Sequence, residues 1–211
     1  MRINKILALT IVTSFCYSCE EPPITHIEEI TNEINGYEYV DLGLPSGIKW
    51  SKCNIGAITP EDYGYYISYG EIQPKPNYLL DNSTTLNQNL SDISGNVEYD
   101  IATALWKSPW RIPTAVEVQE LLDVCEWQWI RRGNINGYIV IGPNKNSIFL
   151  PAAGFYYGYY ATQVNNMCFY WTSTPSVNDN RNSEYLYGDK EIRCINLYNR
   201  CVGCSIRPVV G

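Results

Sequence analysis

The chain predicts an α+β domain of many short strands, two helices and long loops, and three observations predict it. Short runs rich in Tyr, Ile, Val and Trp recur along the sequence, which is the composition of strands. Gly and Pro interrupt those runs at intervals of roughly 8 to 15 residues, marking turns. Two segments break the pattern with helical spacing instead, and one of them carries a complete start signal.

In chain order, strands are expected at 37–42, 48–53, 65–69, 138–141, 147–150, 169–173, 184–187, 192–197 and 205–209. The clearest hairpin joins Tyr138-Ile139-Val140-Ile141 to Ser147-Ile148-Phe149-Leu150. Between them, Gly142-Pro143-Asn144-Lys145-Asn146 favours turn geometry and stops a continuing strand. A first helix is expected over 99–106, with Asp100 as its cap and Ile101, Ala104 and Leu105 on one side. The second starts within Trp110-Arg111-Ile112-Pro113-Thr114-Ala115-Val116-Glu117. Thr114 and Glu117 have capping-box spacing, and Pro113 keeps Ile112 out of helical geometry. Val118, Leu121, Leu122, Cys125 and Trp129 then recur on one face, so one helical stripe reaching Trp129 is expected to be buried. From 77 to 96 the chain is mostly Asn, Ser, Thr and Asp without a period. It reads as a long surface loop, uncommon in a compact domain unless functional or mobile.

The beginning of the chain reads as an address. Arg2 and Lys5 precede an apolar run from Ile6 to Phe15, the pattern of a secretory signal. That run is shorter than the about 20 residues that cross a bilayer. It ends at Cys16-Tyr17-Ser18-Cys19, which resembles the lipobox of bacterial lipoproteins and implies a lipid on Cys19. Glu20 and Glu21 follow, resembling the acidic signal for export to the outer face. An ordinary cleaved signal is the alternative. The expected division is a signal at 1–18, a Pro- and Glu-rich tether at 19–35 and one domain at 36–211. Losing Arg2 and Lys5 leaves 13 basic against 22 acidic side chains, a net charge of −9. Such a surface repels phosphate backbones, so no nucleic-acid partner is expected, and membrane contact is expected through the anchor alone.

Histidine and cysteine narrow the chemistry. The single histidine, His26, lies in the tether, leaving the domain without an imidazole for a nucleophilic triad or a metalloprotease motif. Among six domain cysteines, Cys53, Cys125, Cys194, Cys201 and Cys204 are the disulfide candidates, with Cys168 the sixth. Packing as small apolar side chains is the alternative, particularly for Cys125 on the helical stripe. Cys201-Val202-Gly203-Cys204 has redox or zinc spacing. A redox pair gains reactivity from a following helix, which Ser205-Ile206-Arg207-Pro208 does not begin. A four-cysteine zinc site stays open beside simple disulfides. No metal and no cofactor are expected.

Longer blocks resemble a known family. Tyr39-Val40-Asp41-Leu42-Gly43-Leu44-Pro45-Ser46-Gly47 with Trp50, then Pro60-Glu61-Asp62-Tyr63-Gly64 and Gly70-Glu71, open the match. Glu98-Tyr99-Asp100, Trp110 to Thr114, Phe149 to Gly154, Tyr170 to Pro175 and Ser205 to Val209 continue it. Together they resemble the Fibrobacter succinogenes major paralogous domain, from about Gly36 to the end. The resemblance implies an exported surface domain, often a lipoprotein, without an assigned activity. It also implies a C-type-lectin-like fold in which twisted antiparallel sheets, two helices and long loops leave an irregular loop face for ligands. Cys53 and Cys125 fall where the family often carries Cys. The Glu-Pro-Asn, Gln-Pro-Asp and Trp-Asn-Asp triplets of calcium-binding lectins are absent.

Recognition is therefore expected to rest on aromatic and amide side chains. The chain has 18 Tyr and 6 Trp against 4 Phe, and rings with a polar handle suit half-wet surfaces. The ligand-binding candidates are Tyr156, Tyr157, Tyr159 and Tyr160, then Asn178, Asp179 and Asn180, then Tyr185, Tyr187 and Tyr198. Structural packing is the alternative for each Tyr, and a solvated turn for 178–180. Trp50, Trp110, Trp127 and Trp171 are assigned to the core. The segment from Asn178 to Cys204 resembles the variable region of lectin-like targets of diversity-generating retroelements, but an ordinary polar hairpin region is the favoured reading, since such composition is normal for exposed turns. The leading expectation is a non-enzymatic outer-membrane lipoprotein, facing outward, that binds a glycan or a surface protein. The competing readings are a structural or fimbria-associated subunit and an enzyme related to the formylglycine-generating fold. The latter would need Cys201 and Cys204 as its metal-binding pair.

Overall fold

The computed structural model describes residues 32–211. The expected signal, Cys19 as the expected lipid site, His26 and most of the expected tether lie outside the described residues. Twelve strands and two α-helices are found among those described. In order they are β1 (Glu33–Ile34), β2 (Tyr37–Asp41), β3 (Lys49–Ser51), α1 (Ile101–Trp106), α2 (Ala115–Val124), β4 (Glu126–Arg132) and β5 (Ile135–Ile141). Then come β6 (Ser147–Pro151), β7 (Phe155–Tyr157), β8 (Tyr160–Thr162), β9 (Cys168–Pro175), β10 (Asn182–Gly188), β11 (Arg193–Asn199) and β12 (Val209–Val210). They form sheets ordered β1-β2-β3-β12, β4-β5-β6 and β11-β10-β9, with β7-β8 as a separate hairpin. Every strand pair is antiparallel, which makes the domain α+β. No described helix is long and apolar enough to cross a membrane.

The sheet of β9, β10 and β11 lies between two apolar clusters, and the period of a strand explains how. Alternate side chains point to opposite faces. Phe169 and Trp171 join Ile55, Ile101 and Trp110 in one cluster. Cys168 and Tyr170 join Leu42, Trp50, Val118 and Leu121 in the other. A strand covered on both faces reads as a continuous apolar run, which is what Cys168-Phe169-Tyr170-Trp171 is. Their polar atoms are satisfied inside: Trp171 Nε1 donates to the Ile67 carbonyl at 2.8 Å and Tyr170 Oη to that of Pro151 at 3.0 Å. Trp50, Trp110 and Trp171 are core residues as expected. Trp127 is half-buried instead, with its ring edge-on to Tyr138 at 5.2 Å.

Both helix starts form as the sequence predicts. Asp100 accepts from the backbone N–H of Ala102 and Thr103, and also from Gly95 and Ile112. The face of α1 differs from expectation: Ile101, Ala102 and Trp106 are buried and Leu105 is exposed. At α2 the reciprocal cap forms, with Thr114 Oγ1 accepting from Glu117 N at 3.3 Å and Glu117 Oε2 from Thr114 N at 2.8 Å. Arg111 grips the same carboxylate through both Nη atoms, at 2.5 and 2.8 Å. The helix ends at Val124, however. Cys125 is its extended cap residue, and Trp129 belongs to β4. The expected stripe thus stops before Cys125. Glu126-Trp127-Gln128-Trp129 has the alternation of a strand, and Gly133-Asn134 closes a tight turn into β5, with Gly133 at φ +57°.

Three more expectations are corrected. Pairing begins at Glu33, inside the segment expected to be tether. Residues 65–69 form no strand, only a single bridge between Ile67 and Cys204. The last strand shrinks to Val209–Val210, against β3. Pro208 lacks an N–H for a ladder, and Arg207 turns inward. Its Nε donates to Asn54 Oδ1, its Nη1 to the carbonyls of Ser51 and Lys52, and its Nη2 to that of Phe149. The 77–96 loop is irregular apart from one 3-10 turn at Leu80–Asn82, and it is pinned: Ile93 is buried in the first cluster, and buried Thr85 donates to the Tyr69 carbonyl at 2.5 Å.

Candidate functional site

Two surfaces gather the candidate residues, and the first is the hairpin of β7 and β8. Tyr157 pairs with Tyr160 across a turn of Gly158 and Tyr159. Gly158 has φ +63°, which a first turn position of this hairpin class requires. The hairpin is fixed to the body by reciprocal backbone bonds between Gly158 and Tyr78, at 2.7 and 2.9 Å, and between Tyr156 and Gly203, at 2.7 and 2.9 Å. The second approach is so close that a Cβ on Gly203 would sit 2.7 Å from the Tyr78 ring. Below the hairpin, Phe155 packs on Phe169 and Tyr198, with centroids at 4.6 and 5.4 Å.

Of the four tyrosines expected there, three face solvent. Tyr157, Tyr159 and Tyr160 are 55, 60 and 77% exposed. Tyr156 is half-buried against Tyr66 and Tyr78 and donates to the Tyr159 carbonyl at 2.8 Å. It therefore supports the turn. The remaining tyrosine candidates do not join the tip. Tyr185 is a core residue at 4% exposure, stacked on Phe169 at 5.1 Å. This corrects its assignment as ligand-binding: its position on the central strand β10 turns the ring inward. Tyr198 is half-buried over Phe155 and Phe169. Tyr187 donates to Asp189 Oδ2 at 2.5 Å, and the hydrogen bond to that carboxylate, with burial, pushes its hydroxyl up to about 12.

The second surface is a cavity of about 630 Å³ between the 88–91 loop and the turn from β9 to β10. Asn178, Asp179 and Asn180 all line it. Asn180 Nδ2 donates to the Asn87 carbonyl at 3.0 Å and to Asn89 Oδ1 at 3.2 Å, tying the two loops together. Arg181 holds Asp179 with Nε to Oδ1 at 3.2 Å and Nη2 to Oδ2 at 3.1 Å. That hydrogen bonding holds the Asp179 carboxyl below its ordinary range. Asp179 is the single acidic residue lining this cavity. Sequence reasoning missed Arg200 and the 88–91 loop here. An Arg between Asn199 and Cys201 carries no local signal of burial, since its partners lie far away in sequence.

The six described cysteines form no pairs. Cys53, Cys125, Cys168, Cys194, Cys201 and Cys204 are free thiols in this structure, against the disulfides expected. Burial pushes the Cys125 thiol up to about 11 and raises Cys53, Cys168, Cys201 and Cys204 as well. That is opposite to the depressed pKa of a reactive thiolate. Cys201 and Cys204 fill the first cluster as small apolar groups. Among the described residues, no three His, Cys, Asp or Glu side chains are placed to hold a metal ion. Comparison of the chain with family models, curated proteins and solved structures finds no match.

Proposed function

We propose that this chain is a surface lipoprotein of the Fibrobacter succinogenes major paralogous type, with a C-type-lectin-like domain that recognises a glycan or a protein partner without catalysing a reaction. The observation that carries this reading is the hairpin tip. Three tyrosine rings stand in water on a turn whose backbone is bonded to the body on both sides. Exposed rings on a rigid support present area to a ligand at low ordering cost. Solvent alone would not favour three neighbouring rings. The α+β arrangement of antiparallel sheets with two helices supports the lectin-like reading. The Cys19 lipid and outward location rest on the residues at the chain's start.

The test is a glycan and protein array probed with the full-length chain and with a variant carrying Tyr157→Ser, Tyr159→Ser and Tyr160→Ser. Binding by the parent and its loss in the variant is the expected result. Undiminished binding by the variant would overturn the proposed face. Tyr156 is left in place because it supports the turn.

A further inference from the structure

The cavity beside the turn from β9 to β10 contains a buried cation whose hydrogen bonding is incomplete. Arg200 is 1% exposed. Its Nε donates to the Asn182 carbonyl at 3.2 Å and to Ser183 Oγ at 2.9 Å, and its Nη1 to the carbonyls of Thr85 and Gln88 at 3.4 and 2.8 Å. The guanidinium lies over the Tyr69 ring at 5.0 Å. No carboxylate bonds to it, and Nη2 has no partner among the described residues. Among the described residues, the sealed side-chain atoms lacking a partner are Trp50 Nε1, Ser83 Oγ and Ser173 Oγ. Arg200 Nη2 is not one of them, so it keeps contact with solvent, and Arg200 lines this cavity.

The charges around it leave a positive balance. Asp179, the lining carboxylate, is held by Arg181 in a two-point contact and also attracts Arg200 through space, which leaves two guanidinium charges against one carboxylate. A buried guanidinium with a free N–H is strongly favoured to take an anionic oxygen, because the low-dielectric wall strengthens that bond. The rest of the lining is neutral: beside the apolar Leu90, Pro175 and Val177, the side chains of Gln88, Asn89, Ser91, Ser176 and Asn178 offer amides and hydroxyls. These groups match sugar hydroxyls. A phosphate dianion would require more cations than this lining supplies. The cavity volume falls within the about 300–1,000 Å³ of small-molecule sites.

We infer that this cavity binds a carboxylate-bearing saccharide, a uronic or sialic acid, with the carboxylate on Arg200 Nη2 and the ring hydroxyls on the amide-rich loops. The site is separate from the tyrosine hairpin, so it stands or falls independently of the recognition proposed there.

Calorimetric titration of the full-length chain with glucuronate, N-acetylneuraminate, glucose and inorganic phosphate tests the inference. At least one acid sugar should bind, with glucose weaker by about tenfold, or about 1.4 kcal/mol, and affinity should fall as salt rises. Asn178→Asp, an exposed change that adds a carboxylate at the rim, should weaken the acid sugar by about tenfold. Arg200→Gln should abolish the preference for the acid over glucose. If that variant fails to fold, Asn178→Asp decides alone. The serine variant of Tyr157, Tyr159 and Tyr160 should bind the acid unchanged. Four results would each overturn the assignment: no binding by either acid, equal binding of glucose, phosphate as tight as the acid sugars, or an Asn178→Asp chain with parental affinity. Loss of acid binding in the hairpin variant would also overturn it by moving the ligand elsewhere.

Discussion

Arg207 and Arg200 sit at the same depth, each 1% exposed, and neither bonds to a carboxylate, yet their surroundings differ. Arg207 spends all three nitrogens inside the protein. Its acceptors come from Asn54, from the end of β3 and the residue after it, and from β6. Arg200 spends two nitrogens, has no partner on Nη2 among the described residues, and lines a cavity. Burial draws both guanidinium pKa values down, although an Arg keeps its charge in proteins. The contrast separates a clamp from a receptor. A buried cation stabilises a fold when every donor is met, and one unmet donor on an open wall is free for a ligand.

The largest expected effect breaks the clamp. Arg207→Ala strands three carbonyls and the Asn54 amide oxygen in a region that water reaches poorly, and leaves a void as well. The expected loss is at least about 4 kcal/mol, read as a lower midpoint in guanidinium unfolding followed by Trp fluorescence. A loss under about 1 kcal/mol would mean that these acceptors find water and that the clamp is not needed. Arg200→Lys sharpens the comparison from the other side. The ammonium keeps the charge but loses the fork to Asn182 and Ser183, for an expected loss of about 1–3 kcal/mol. A penalty as large as that of Arg207→Ala would place both arginines in the same structural role.

This pair also shows what was readable in the sequence and what was not. The capping box at Thr114 and Glu117, the Asp100 cap and the Gly142–Asn146 hairpin are local, because each depends on residues within a few positions, and all three form. Arg207 stood inside a block resembling a family, but nothing near it indicates that its partners are Asn54, Ser51, Lys52 and Phe149, up to 156 residues away. The end of α2 was misread for a different reason. Cys125 and Trp129 continue the helical period by coincidence, while Trp127 and Trp129 also share a strand face. The Gly133-Asn134 pair was the cue that decides between the two. At the candidate sites, the Tyr cluster and the 178–180 turn were legible as composition. Which rings point outward was not, since Tyr185 and Tyr160 are alike in sequence and only β10 sits at the centre of a sheet.

The α2 start tests a local device against these long-range ones. Thr114→Ala removes the side-chain acceptor of the cap and should cost about 1 kcal/mol. The carboxylate of Glu117 adds a pH signature. Burial opposes its charge, but Arg111 and the Thr114 N–H outweigh burial and hold its pKa below the ordinary 4.5. A depressed carboxyl stabilises the fold above its unfolded value, and the contribution disappears as pH falls through the lower folded value. The stability difference between the parent and Glu117→Gln should therefore be full at pH 7 and shrink below about pH 4.5. A difference constant down to pH 2, measured by urea unfolding across the range, would remove the ion pair from the account.

The smallest expected effect concerns Tyr160, and here a null result is informative. Its ring is 77% exposed, and the hairpin's backbone bonds to Tyr78 and Gly203 involve no side chain of Tyr160. Tyr160→Ser should shift unfolding stability by no more than about 0.5 kcal/mol, while Tyr185→Ser, removing a ring stacked on Phe169 and edge-on to Trp171, should cost about 3 kcal/mol or more. Both residues lie in strands and carry the same side chain, so their difference isolates burial. A Tyr160 that proved as costly as Tyr185 would mean that the tip rings hold the hairpin together. The exposed tyrosines would then lose their standing as a surface kept for a ligand.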